Sequence, residues 1–133
     1  MRFCLLSCLI VGGMVRGAVA EARAVTLAER GKPVAVIVHN GHTNQAATLQ
    51  AYLRQITGAE LEQVAGVAQA GGRPAVVLET AGNLPGASVR PEIARQAYRI
   101  VADDAAVRIT GGSALGLTYA VWGFLEDHIG CRF

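Results

Sequence analysis

The sequence predicts one α/β domain of the α+β kind, a mixed β-sheet carrying two main helices. Three observations predict it. Apolar residues alternate or run continuously in short β-rich stretches, and in two longer stretches they recur every three to four residues. The elements follow one another in the order β-β-α-β-β-β-β-α, which two helices packed on one sheet satisfy. The chain has 133 residues. That suits one domain and falls well short of the roughly 250 residues of a (β/α)8 barrel.

At the N-terminus, Met1 and Arg2 form a positive start, Phe3 to Met14 is almost unbroken apolar sequence, and Ala18-Val19-Ala20 presents small residues where a signal peptidase reads. Residues 1–20 are therefore expected to be a signal peptide and residues 21–133 the mature domain, secreted or periplasmic. The apolar run is shorter than the roughly 20 residues that span a bilayer, so no membrane association is expected after cleavage. Two alternatives stay open: a lipoprotein-like box, Leu5-Leu6-Ser7-Cys8, with lipid on Cys8, and a later cleavage at Ala22-Arg23-Ala24. Cleavage after Ala20 removes Arg2 and Arg16 and no acid, so the net charge of +2 falls to zero, and it leaves Cys131 as the one remaining thiol. A neutral domain is not expected to bind nucleic acid, and one thiol forms no internal disulfide, so stability must come from a packed core.

Val25 to Ala28 and Pro33 to Val38 are β-rich and separated by Glu29-Arg30-Gly31-Lys32, which predicts a hairpin with Pro33 at the start of its second strand. After the turn His39-Asn40-Gly41-His42, Thr43 or Asn44 is expected to cap a helix. Ala46, Leu49, Leu53 and Ile56 form its apolar stripe, opposite Gln45, Thr48, Arg54 and Gln55, and Gly58 ends it. Leu61 to Val67 is a weak strand. Pro74 to Glu79 is a strong one, because the continuous apolar run Ala75-Val76-Val77-Leu78 fits a strand covered on both faces. A loop spans Thr80 to Pro91. Ala97 to Ala102 and Ala105 to Thr110 are expected to pair as a hairpin turning at Asp103-Asp104, with Tyr98, Ile100, Val107 and Ile109 on one face and Arg99 and Arg108 on the other. The last helix is expected from about Ser113 to Ile129. Leu115, Tyr119, Trp122, Leu125 and Ile129 form one stripe beside Leu117, Val121 and Phe124, so more than half its surface is apolar. Such a helix needs cover on two sides, or else it exposes a patch.

Residue chemistry is sparse. His39 and His42 stand three apart at a turn, but the chain contains neither H-E-x-x-H nor C-x-x-C, so they are read as turn histidines and no metal ligand is assigned. Gly111-Gly112-Ser113-Ala114-Leu115-Gly116 follows a strand and opens a helix, where a phosphate could sit. Its spacing matches neither phosphate motif, so close packing of helix on strand is the expectation and no cofactor is assigned. Glu79, Glu92, Asp103, Asp104, Glu126 and Asp127 are placed as surface carboxylates rather than as a pair facing across a sugar ring. Ser113 and Ser88 lack a nucleophile elbow, and Cys131 with His128 lacks an orienting third group, so no catalytic residue is assigned. Trp122 could stack on a sugar, but its position in the stripe assigns it to the core.

Several segments together resemble a known family: Ala97-Tyr98-Arg99-Ile100, Val107-Arg108-Ile109-Thr110-Gly111-Gly112, Gly116-Leu117-Thr118-Tyr119-Ala120-Val121-Trp122-Gly123-Phe124-Leu125-Glu126, and the terminal Gly130-Cys131-Arg132-Phe133. They resemble the N-terminal domain of bacterial α-glucuronidases and of β-N-acetylhexosaminidase-like glycoside hydrolases. Ala46, Leu49, Tyr52, Leu53, Thr57 and Gly58 match the same family's helix A-x-x-L-x-x-Y-L-x-x-x-T-G, and Val76-Val77-Leu78 its next strand, so the likeness covers residues 34–133. The resemblance implies a zincin-like fold without its metal site, an accessory role in polysaccharide degradation, and a partner in the catalytic barrel that normally follows in the same chain. It carries no catalytic carboxylate onto this sequence. It implies a product truncated before the barrel, with no catalysis expected from this chain alone. The alternative is a free-standing exported carbohydrate-binding or interaction module.

Overall fold

The computed structural model describes residues 6–8, 23–82, 84 and 91–130. Its centre is a five-stranded mixed sheet built from β5 (Val36–Val38), β6 (Gln63–Val64), β7 (Ala75–Thr80), β8 (Tyr98–Ala102) and β9 (Ala106–Gly111). The order across the sheet is β6-β5-β7-β9-β8. β5 lies parallel to β6 and β7, β7 parallel to β9, and β8 antiparallel to β9. The helix α1 (Thr43–Thr57) supplies the crossover that the parallel β5–β6 pair requires. A short helix α2 (Pro91–Ala94) precedes β8. The helix α3 (Ala114–Gly123) follows β9 and runs on into a π-helical turn, Phe124–His128. The fold is thus the mixed sheet with two main helices that the sequence predicts.

Strand residues alternate between two faces, and both are covered over the sheet's centre. Ile37, Val76, Leu78, Val107 and Ile109 join Ala46, Leu49 and Leu53 of α1 and Leu117, Ala120, Val121 and Phe124 of α3 in the main core. Val36, Val38, Ala75 and Val77 pack on the opposite face with Val64 of β6 and Ala70, which lies in a 3-10 turn at Val67–Ala70. That double cover accounts for the continuous apolar run in β7.

The first predicted hairpin is corrected. Its ladder is only two residues long, β3 (Ala28–Glu29) with β4 (Lys32–Pro33), closed by Arg30 and Gly31 at φ 53° and 74°. Two positive φ values in a two-residue loop are the type I′ geometry that suits a tight hairpin. Pro33 ends β4 instead of starting a strand, and Val36–Val38 leaves the hairpin for the parallel sheet. Leu27 marks the parting, because its carbonyl accepts from both Val34 and Ala35. A separate two-stranded ribbon pairs β1 (Leu6–Cys8) with β2 (Arg23–Val25). The rest of the predicted signal segment lies outside the described residues, as do Asn83, residues 85–90 and the terminal Cys131-Arg132-Phe133.

The β8–β9 hairpin pairs Ile100 with Ile109 and Ala102 with Val107, as the alternation predicts, but Tyr98, expected on the same buried face, is exposed, and the turn is shifted by one residue. Asp103 closes the ladder by donating its N–H to Ala106 O, leaving Asp104 and Ala105 as the central residues. Asp103 Oδ1 accepts from the N–H groups of both Ala105 and Ala106 at 2.8 Å. An aspartate at this position therefore organises the turn through its own side chain. Asp103→Ala is expected to cost about 1–2 kcal/mol, one to two net hydrogen bonds, in a urea titration. A loss below the error of that titration would show that the turn forms without the carboxylate.

Candidate functional site

Two features bear on function: the glycine segment leading into α3, and the groove between α1 and α3.

Gly111 ends β9 and Gly112-Ser113 turns the chain into α3. An added Cβ on Gly111 would lie 2.1 Å from the backbone N of Leu117, and one on Gly112 would lie 2.1 Å from Ala94 O. On Gly116 it would meet the carbonyl oxygens of Ala97 and Arg95, both at 2.7 Å. Backbone lies against backbone here, which no side chain permits. The polar groups of the segment serve the same junction. Gly112 N–H donates to Ala97 O, Ser113 Oγ donates to Arg95 O, and Gly116 N–H donates to Ser113 Oγ as the N-cap of α3. The segment is thus a packing device that ties α3 to the α2–β8 corner, the role its spacing predicts.

The histidine turn is also structural. Gly41 N–H donates to His39 Nδ1, and His42 N–H donates to His39 O. Asn40 adopts φ 46°, a left-handed conformation that asparagine tolerates, and its Nδ2 donates to Leu78 O. His42 occupies the N-cap of α1 without a side-chain hydrogen bond, so neither Thr43 nor Asn44 is the cap expected. Among the described residues, no three His, Cys, Asp or Glu side chains gather closely enough to hold a metal ion.

The carboxylates are spread over the surface. Glu79 Oε1 accepts from Thr110 Oγ1 and Glu79 Oε2 lies 3.7 Å from Arg108, across the β7–β9 ladder. Glu62 pairs with Arg73 at 2.7 Å and Glu60 with Arg54 at 3.6 Å, on exposed side chains where such pairs contribute little. Asp103 organises its turn, and Glu126 and Asp127 are exposed in the π turn. The side chains of Glu92, Ser88 and Cys131 lie outside the described residues. The ring of His128 stands 5.9 Å from that of Phe124.

The face of α3 away from the sheet is what the composition of this helix predicts and the sheet leaves open. Leu117, Ala120, Val121, Phe124 and Leu125 are buried, whereas Leu115 and Tyr119 keep 49% and 45% of their surface exposed. Leu115, Thr118, Tyr119 and Trp122 follow the i, i+3, i+4, i+7 spacing of one helix face. Trp122 is half-buried, packs against the core and meets Tyr52 edge-on, with ring centroids 5.2 Å apart at 73°. The assignment of Trp122 to the core therefore accounts for part of the ring.

Beside this face, Asn44, Gln45 and Thr48 of α1 and Thr118, Val121 and Trp122 of α3 line a half-open groove of about 130 Å³. Gln45 Nε2 bridges the two helices, donating to Thr118 Oγ1 at 3.1 Å and Ala114 O at 3.3 Å. The apolar stripe of α1 leaves Gln45 and Thr48 on its solvent side, and their part in this groove is not visible without α3 beside it. No protein-family model matches the chain, and no curated protein does.

Proposed function

We propose that the chain is the non-catalytic N-terminal accessory domain of an exported glycoside-hydrolase-like protein that acts in polysaccharide degradation. The observation that carries the reading is the half-exposed apolar face at Leu115 and Tyr119, on the same helix that bears most of the family resemblance. An accessory domain needs an apolar face for the domain it serves, and a catalytic barrel is the partner that the resemblance implies. The structural engagement of Glu79 and Asp103 agrees with a scaffold, since a general acid or nucleophile must be free to reach a sugar ring.

Two measurements test the reading. Purified chain incubated with aryl-glycosides and aryl-glucuronides is expected to give no turnover above the uncatalysed rate. Hydrolysis that disappears on mutating one of its own carboxylates would overturn it. The DNA downstream of the Phe133 codon is expected to encode barrel strands; unrelated sequence there would count against the accessory role.

A further inference from the structure

The α1–α3 groove has a lining with a distinct chemistry. Asn44 and Gln45 present carboxamides, Thr48 and Thr118 hydroxyls, Val121 and Trp122 apolar surface, and none of the six is ionisable. Gln45 is held in place through its Nε2, while its Oε1 and the whole Asn44 carboxamide make no hydrogen bond among the described residues. Thr48 and Thr118 donate to backbone carbonyls one turn earlier in their own helices, Asn44 O and Ala114 O, which leaves the Thr48 oxygen to accept, while Thr118 Oγ1 already accepts from Gln45 Nε2 and keeps one further lone pair. Amide donors and acceptors beside one aromatic wall suit a ligand with hydroxyls around its edge and C–H bonds on its face. A carboxylate or phosphate would find no counter-charge in this lining. A purely apolar ligand would leave the Asn44 carboxamide and Gln45 Oε1 desolvated and unpaired, at a cost of about 1–3 kcal/mol each. At about 130 Å³ the groove falls below the range of drug-sized ligand sites, about 300–1,000 Å³, which limits it to a single small unit.

We propose that this groove holds one neutral sugar unit, its hydroxyls bound by Asn44 and Gln45 and its apolar face bounded by Trp122. The proposal deepens the accessory-domain reading and rests on its carbohydrate context: the domain would hold a neutral unit of the polymer at the rim of the face that docks the barrel. Tyr119 lies three residues before Trp122 on the same helix face and extends the apolar surface beyond the groove.

The test is a nuclear magnetic resonance titration of the whole ¹⁵N-labelled chain with xylose, glucose, N-acetylglucosamine and sodium glucuronate. At least one neutral sugar is expected to shift the side-chain amides of Asn44 and Gln45 and the Trp122 indole N–H, saturating in the millimolar range, roughly −4 kcal/mol. Glucuronate is expected to bind at least about fivefold more weakly, roughly 1 kcal/mol. Gln45→Ala and Asn44→Ala are each expected to weaken the neutral sugar about fivefold. Asn44→Ala decides if Gln45→Ala unfolds the chain, because the Asn44 carboxamide makes no hydrogen bond among the described residues. Absence of a saturable shift at these groups with any neutral sugar, equal binding of glucuronate, or unchanged affinity in Asn44→Ala would each overturn the proposal. The two ideas fail separately. A silent titration leaves the accessory reading standing, and hydrolysis by the chain alone would sink that reading without touching the groove.

Discussion

Gly111→Ala is expected to lower the stability of this domain by about 3 kcal/mol, the upper end of the ordinary overpacking range, and its melting temperature by roughly 10 °C. The new methyl would lie 2.1 Å from Leu117 N and 2.5 Å from Leu117 Cα. Neither atom ends a flexible side chain. Relief requires moving α3 off β9, and with it Leu117, Ala120 and Val121, which are at most 1% exposed. Against a typical total of about 5–15 kcal/mol, that loss is enough to unfold a marginal domain at growth temperature. Gly112→Ala is expected to behave alike, since its methyl would meet the Ala94 carbonyl. Gly66→Ala is the control: it sits at φ −148° with nothing within 4 Å of the added carbon, so its melting temperature is expected to stay within about 2 °C of the parent. Equal melting temperatures for Gly111→Ala and Gly66→Ala would refute the close-packing account.

Phe124→Ala is expected to cost about 3–5 kcal/mol. Phe124 is fully buried and stands where α3 widens into its π turn, whose last bond runs from Ile129 N–H to Phe124 O. The widened turn still places both Phe124 and Leu125 in the core. Removing the ring leaves a cavity that neighbours on a sheet cannot collapse to fill. The measurement is the urea midpoint at unchanged slope, with Tyr119→Ala as the comparison. Tyr119 keeps nearly half its surface in water, so its loss is expected to cost under about 1 kcal/mol. Comparable losses for the two substitutions would mean that the core does not depend on this ring.

Much of this architecture is legible in residue spacing because it rests on local rules. Ala46, Leu49, Leu53 and Ile56 read as one stripe, of which the first three are buried and Ile56 half-buried, and Gly58 ends α1 at φ 74°. The glycines before α3 read as a close approach because their spacing fits no phosphate loop, and their polar groups tie the helix to its neighbours. Val36 to Val38 misleads for a physical reason. Gly31 supplies a strong local turn signal, whereas the partners that capture Val36–Val38 are Ala75 to Val77 and Gln63–Val64, which no local pattern names. The same valine run is continuous and apolar, the mark of a strand covered on both faces, and that property outweighs the adjacent turn. The hairpin at Asp103 shifts by one residue because a side-chain oxygen, rather than the dipeptide composition, settles where the ladder closes. Gln45 is the least legible. It reads as a solvent-facing polar residue, and only the distant Ala114 and Thr118 make it a bridge.

The order of the strands also bears on how quickly the chain folds. Val36 pairs with Ala75 and Ala75 with Ala106, so each central parallel ladder joins segments roughly thirty to forty residues apart. Such pairings must close long loops before any contact rewards them, whereas β8 and β9 meet across a two-residue turn. The last third of the chain is therefore expected to organise first, and the valine strands to wait for β9. Until residues 106–111 are available, β7 lacks one of its two neighbours and the sheet has no centre. Until then the apolar faces of Val36–Val38 and β7 stay uncovered, and a chain held at that stage is expected to be prone to aggregation.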